Sequence, residues 1–185
     1  MENIHKFRIL NKLKTVYRYN SVENRKESTA EHSWSCLLVA DFFLSQIDIK
    51  IDKLKVYELL MYHDVVEIEA GNTVIHPDTD FSEQISKEEI ARDSLKKQLP
   101  YPINDKFVSL FNEFEQQTTI ESKFAKAIDA LDAEIHELDY KGDWDGWTKE
   151  FLVGKKSKYF KEFPELEKAF FEIVKYLEEN DYFDK

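Results

Sequence analysis

The sequence predicts an all-α fold, a single helical bundle of six to eight helices. Three observations carry that expectation. Only four glycines and four prolines occur in 185 residues, too few for the corners of a β-rich chain. Hydrophobic residues make up 42% of the chain and aromatics 14%, enough for a sizeable core. The apolar positions recur at helical spacing between recognisable caps.

Taken in order, a first helix is expected over about Ile4–Tyr19, with Phe7, Leu10, Leu13, Lys14 and Tyr17 at helical spacing. "RYNSVENRKES" reads as a polar loop carrying Arg18 and Arg25. Ser28 with Glu31 makes a capping box for a second helix, whose stripe is His32, Cys36, Val39, Ala40, Phe43, Leu44 and Ile47. A third begins near Asp52 and turns Val56, Leu59, Leu60, His63 and Glu67 inward until Gly71 ends it. "NTVIHPDTDFS" reads as a loop containing Pro77, and Ser86 with Glu89 as the cap of the next helix. After the break "LPYPIND", a helix runs through Phe107, Leu110, Phe111 and Phe114. Thr118 with Glu121 opens a long helix to about Lys141, and Pro164 starts the last one in its first turn. The expected layout is one domain over residues 1–185, with a core of about 4–141 and a C-terminal helical extension of about 144–180.

The formal net charge is −11. Such a surface repels polyphosphate backbones and anionic lipid, which argues against a nucleic acid polymer or a membrane as partner. "CLLVADFFL", the most apolar run, is short and interrupted by Asp41, so no bilayer span is expected. The single cysteine, Cys36, and an N-terminus without a signal-peptide layout fit a cytoplasmic protein.

Chemistry concentrates where polar residues fall on core-facing stripes. His32 shares its stripe with Cys36, Val39 and Phe43, and His63 shares its own with Val56, Leu59 and Leu60. Two imidazoles from different helices thus point at one interior, with Asp64 next to His63 and Glu67 one turn on. Imidazole with carboxylate suits one divalent transition metal (Mn, Co, Ni, Fe or Zn) better than an all-oxygen ion. A further carboxylate is available in "FAKAIDALDAEIHEL", as Asp129 or Asp132. Periodicity puts Asp132 nearer the stripe of Phe124, Ile128, Leu131, Ile135 and Leu138, and by itself does not decide between them.

"STAEHSW", "YHDVVEIEAGN" and "FAKAIDALDA", with "LKTVYR" upstream, resemble the signature blocks of the HD-domain phosphohydrolases, nearest to the branch of the bacterial 5′-deoxynucleotidases. The resemblance runs from the first helix to about Leu138. It implies an HD-domain fold with His32, His63, Asp64 and Asp129 as metal ligands, and Asp132 as an outer or surface carboxylate. It makes Glu67 catalytic or the group that orients the attacking water. It gives Arg18 the substrate phosphate and Tyr19 a stacking place where that branch has tryptophan. Asn72 stands where that branch carries a catalytic aspartate; an amide holds water or hydroxyl but moves no proton at neutral pH.

The implied activity is a metal-dependent phosphomonoesterase acting on (deoxy)nucleoside 5′-monophosphates. Alternatives are hydrolysis of a cyclic, triphosphate or guanosine polyphosphate nucleotide, a two-metal site drawing on His76 and His136, or a helical binding protein with a relic metal site. A homodimer is expected, because "AFFEIVKYLEENDYF" carries more aromatics than one helix face buries.

Overall fold

A computed structural model describes residues 1–76 and 83–184. Among them are α1 (Glu2–Phe7), α2 (Thr29–Leu44), α3 (Lys53–Tyr62), the single turn α4 (Glu67–Ala70), α5 (Gln84–Gln98), α6 (Ile103–Gln116), α7 (Ile120–Glu137), α8 (Lys149–Lys156) and α9 (Pro164–Glu179). Eight of these helices have six or more residues, and a two-stranded hairpin, β1 (Tyr17–Val22) with β2 (Arg25–Ser28), is the sole sheet of the described residues. The all-α expectation stands.

Helix α7 is the axis. Phe124, Ala125, Ala127, Ile128 and Leu131 are all buried on it, and α2, α3, α6 and α9 pack around it. Its alanines let neighbours approach on several sides. The main core joins Cys36, Ala40, Val56, Leu59 and Leu60 to Trp144, Leu152, Phe160, Phe163 and Phe170, so the C-terminal helices share one apolar interior with the N-terminal ones. A smaller cluster of Val65, Val66, Leu95, Leu99, Phe107 and Phe111 fills the space between α4, α5 and α6.

Several boundaries differ from expectation. The first helix stops at Phe7; a 3-10 segment (Arg8–Thr15) follows, and Tyr17 begins a strand. The supposed polar loop is therefore a hairpin, closed at Val22–Arg25 with Glu23 at φ 51. Aromatics at Tyr17 and Tyr19 fit a strand as well as a helix face, and pairing with Arg25–Ser28 decides the matter. The third helix is not continuous: three-residue bonds from Val65 to Tyr62 and from Glu67 to Asp64 tighten the chain before α4. Gly71, at φ 76, closes it as expected.

Ser86 lies inside α5, whose N-cap Glu83 makes no side-chain cap bond. The α7 capping box is Thr119 with Ser122, one residue beyond the expected pair, and the helix ends at Glu137. Pro77 lies outside the described residues. Among the described residues no helix is long and apolar enough to cross a membrane.

Candidate active site

The capping box at Ser28 fixes where α2 begins: Ser28 Oγ accepts from the Glu31 amide and the Glu31 carboxylate accepts from the Ser28 amide. His32 therefore enters the interior one turn in, fully buried. His63 and Asp64 sit at the tightened end of α3, where the chain turns and presents two successive side chains to the same space. Asp129 arrives from the middle of α7.

These four side chains meet. His32 Nε2 is 3.1 Å from Asp129 Oδ1 and 3.8 Å from Asp64 Oδ2. His63 Nε2 is 3.1 Å from Asp64 Oδ2 and 3.8 Å from Asp129 Oδ1. Donors about 2.1 Å from one ion stand about 3.0–3.4 Å apart at octahedral or tetrahedral angles, close to these separations.

The proton positions sharpen the fit. His63 Nδ1 lies 2.8 Å from the Leu60 carbonyl, and His32 Nδ1 lies 2.8 Å from Asp132 Oδ2. A carbonyl and a carboxylate only accept, so both Nδ1 atoms carry hydrogen. In a neutral ring Nε2 then presents a lone pair to two carboxylates. That arrangement is repulsive unless each ring gains a proton or a cation lies between them. His63 Nε2 and Asp64 Oδ2, both buried, have no hydrogen-bond partner among the described residues. Two imidazoles and two carboxylates facing each other across orphaned atoms fit a divalent transition ion.

The electrostatics agree. Burial and the Arg18 charge act to lower the His32 pKa, yet Cys36 and then the hydrogen bonds to Asp129 and Asp132 hold it well above the usual imidazole value. Burial works to raise Asp129, but Lys126 and the two histidines bring it well below the carboxylate range. Asp64 is lowered too, His63 and His32 outweighing its burial.

A second donor combination exists. A ring nitrogen each from His32 and His63, with Cys36 Sγ, all lie within 4.8 Å of one another. Burial pushes the Cys36 thiol up to about 12, so it stays protonated, and the carboxylates are the better partners. His76 and His136 do not line the cleft: His76 Nε2 faces the Asp145 carbonyl at 3.2 Å, and His136 Nε2 the Ser21 carbonyl at 2.7 Å.

Around this cluster opens a cleft of about 370 Å³. Arg18, on β1, reaches over its edge: Nε is 3.2 Å from Glu27 Oε2 and Nη1 is 3.6 Å from Asp64 Oδ2. Tyr19 lines the same wall, half-exposed, with Lys26 Nζ 4.4 Å above its ring. Glu67 is buried; Thr29 Oγ1 donates to its Oε2 at 2.7 Å and Asn72 Nδ2 to its Oε1 at 2.8 Å. Burial first, and then the Asp64 charge, push the Glu67 carboxyl up to about 7. Asn72 thus faces Glu67 and fixes its orientation.

Two further groups complete the surroundings: Asp132, expected as an outer or surface carboxylate, and Lys126, which the sequence reading missed. Asp132, fully buried, accepts from His32 Nδ1 and from Ser35 Oγ at 2.5 Å, so both aspartates of "DALD" touch the same imidazole. Lys126 lines the cleft with Nζ 3.4 Å from Asp129 Oδ2, 3.6 Å from Glu115 Oε1 and 4.4 Å above the Phe114 ring. Its place one turn before Asp129 on α7 was the available signal.

Comparison with known proteins adds a consistent picture. 5′-Deoxynucleotidase HDDC2 of Xenopus laevis is 28% identical over 127 residues, 69% of this chain and 61% of that protein. The Danio rerio HDDC2 is 25% identical over 166 residues, covering 86% of this chain and 81% of its own. The chain's match thus spans about three-fifths of the Xenopus protein. A Magnetospirillum magnetotacticum MS-1 protein, described as a predicted metal-dependent phosphohydrolase, superposes with TM-score 0.88 at 26% identity, covering 100% of this chain and 95% of that one. An HD-domain phosphohydrolase of Listeria innocua shares the fold at TM-score 0.63 and 22% identity, over 95% and 86% of the two chains. The HD-domain family model matches residues 10–167; with its paired histidines and aspartates gathered from α2, the turn after α3 and α7, the chain belongs to the HD-domain family.

Proposed function

We propose that the chain is a metal-dependent phosphohydrolase, a phosphomonoesterase acting on (deoxy)nucleoside 5′-monophosphates. The single observation that carries the reading is the facing of two Nδ1-protonated imidazoles, His32 and His63, onto Asp64 and Asp129 beside Arg18. The names of the curated relatives point to the same substrate class.

His32, His63, Asp64 and Asp129 would hold one divalent transition metal of the Mn, Co, Ni, Fe or Zn group. Such an ion, when bound, polarises a phosphate oxygen and acidifies water. The chain's own residues do the rest. Arg18, held by Glu27 at the cleft edge, binds the phosphate and offsets charge on its equatorial oxygens. Glu67, poised near neutrality and fixed by Thr29 and Asn72, accepts a proton from the attacking water. Asn72 orients Glu67 and moves no proton itself. Tyr19 offers its ring to the nucleoside. Lys126 adds a second cation on the opposite side of Asp129.

Self-association is part of the proposal. Of the C-terminal aromatics, Phe170 is buried in the core and Tyr182 packs against it, while Phe171 and Tyr176 stay exposed on α9; Trp34, Leu38 and Phe42 form a longer exposed stripe on α2. A second copy is the partner proposed for that stripe, and light scattering that finds only monomer would overturn it.

The test of activity is phosphate release from a panel of nucleoside and deoxynucleoside 5′-monophosphates with Mn, Co, Ni, Zn or Mg. Turnover of deoxynucleotides with a transition ion is expected. No release with any pair would end the reading.

A further inference from the structure

The far end of the cleft from the metal cluster carries a different chemistry. Asp129, Ala130, Ala133, Glu134 and Glu137 line the cleft in succession from one face of α7, leading away from the cluster. Glu134 lies about 7.5 Å along the helix axis from Asp129, at a rise of ~1.5 Å per residue. The two alanines between them leave the floor low, and Tyr19, Trp147 and Tyr159 stand around it.

Glu134 is 1% exposed. Its Oε1 is held by Lys156 Nζ, itself buried and bonded to the Ala130 carbonyl at 3.2 Å. Its Oε2 is buried and has no hydrogen-bond partner among the described residues. Burial raises the Glu134 carboxyl and the Lys156 ammonium opposes that rise; with Oε1 paired to the ammonium, Oε2 is placed as an acceptor for a donor in the cleft. A buried carboxylate oxygen left unmatched is costly, and natural interiors seldom keep one without a reason. Glu137, one turn on, is already engaged: Asn20 Nδ2 donates to its Oε1 at 2.6 Å. Of the two, only Glu134 has a fully buried oxygen without a partner among the described residues.

We infer that Glu134 is a specificity-determining residue: its Oε2 accepts a hydrogen bond from an O–H or N–H donor on the nucleoside half of the substrate. The inference rests on the proposed function only for placing the phosphate at the metal end. With the phosphate there, the bonds from phosphorus through O5′, C5′, C4′ and C3′ lead toward Glu134. The sugar 3′-hydroxyl is the donor that this spacing favours, and a base N–H is the other source of the same chemistry. Sites built to accept a hydrogen bond reject analogues that lack the donor far more strongly than apolar pockets reject a missing methylene.

The experiment is calorimetric binding to the full chain, without turnover as a readout. The probes are deoxyadenosine 5′-monophosphate, its 3′-deoxy analogue, deoxyribose 5-phosphate, deoxyadenosine and inorganic phosphate. For the native chain, at least tenfold weaker binding of the 3′-deoxy analogue is expected. Glu134→Gln should bind the nucleotide at least tenfold more weakly and inorganic phosphate within twofold of native. If the 3′-deoxy analogue binds as well as its parent but Glu134→Gln loses the preference for the nucleotide over deoxyribose 5-phosphate, the donor is a base N–H.

Native-like nucleotide binding by Glu134→Gln would overturn the inference, as would a parallel loss of phosphate binding, which assigns Glu134 to the scaffold alone. Should the single variant fail to fold, the Glu134→Met, Lys156→Met double variant, which exchanges the buried pair for apolar groups, is judged by the same criteria. If inorganic phosphate fails to bind with any metal while deoxyadenosine binding still depends on Glu134, the phosphohydrolase reading falls and this subsite stands.

Discussion

Asp132→Asn isolates what the outer carboxylate does for the proposed metal centre. The 2.8 Å contact between Asp132 Oδ2 and His32 Nδ1 is a charge-assisted hydrogen bond. It fixes the ring's tautomer and makes Nε2 a better donor to a cation. Asparagine keeps the shape: its oxygen accepts from Nδ1 and its amide meets Ser35 Oγ. What disappears is the charge. A charge-assisted bond contributes about 1.5–3 kcal/mol and a neutral one about 0.5–1.5, so the loss is about 1–1.5 kcal/mol, close to tenfold in metal affinity.

The readout is thermal unfolding in chelator-buffered Mn or Zn. At free metal about 100-fold above the native Kd, binding stabilises by about 2.7 kcal/mol; a tenfold weaker site at the same concentration gives about 1.4 kcal/mol. For a chain of this size that corresponds to a metal-induced rise in Tm of about 5–11 °C in the native protein and about 3–6 °C in Asp132→Asn. Asp139→Asn, at an exposed position two residues past the buried Glu137, is the control and should match the native rise. An equal rise in Asp132→Asn and native protein would refute the argument.

Asp64→Ala removes a carboxylate that faces both imidazoles, and both metal retention and turnover should be lost; a variant that keeps a bound ion through gel filtration and full activity would contradict the proposed ligand set. Glu137→Gln tests a pH dependence. Burial first, and then the Glu134 charge, raise the Glu137 carboxyl from 4.5 to about 8. Between those values the folded chain holds a proton that the unfolded chain has released. Stability from this group is therefore present at low pH and declines as pH rises through that window, by up to about 1.4 kcal/mol per unit. Urea unfolding of Glu137→Gln should show a shallower decline between pH 5.5 and 8, and an unchanged slope would show that Glu137 is not the group responsible.

Helix periodicity made part of the site legible. His32 and His63 stand out because each sits on an otherwise apolar stripe, and the structure buries both. Asp64 follows from its adjacency. Asp129 did not: periodicity pointed to Asp132, and Asp132 is indeed the more buried of the two, on the other nitrogen of the same ring. A pattern of burial cannot tell the inner face of an imidazole from its outer one, and only the family resemblance separated them. The hairpin was missed because Leu13 and Tyr17 keep helical spacing while the strand's partner lies beyond a turn. The α7 box was misplaced by one residue because two adjacent threonines each precede a polar residue at the right distance. Lys126 was marked only by its place one turn before Asp129, and Glu134 by nothing local; the significance of both comes from what α7 faces.

The hairpin that bears Arg18 is fastened by the end of α7 and the turn that follows it. Ser21 binds Asp143 through its amide and its hydroxyl, the Glu23 amide reaches the Tyr140 hydroxyl, and His136 meets the Ser21 carbonyl. The arginine therefore rides on a clasp whose far half is some 115–122 residues away. On the proposed roles, grip on the anion and integrity of the cation's cage are thereby mechanically separable: wear at positions 136–143 should slacken the first and spare the second.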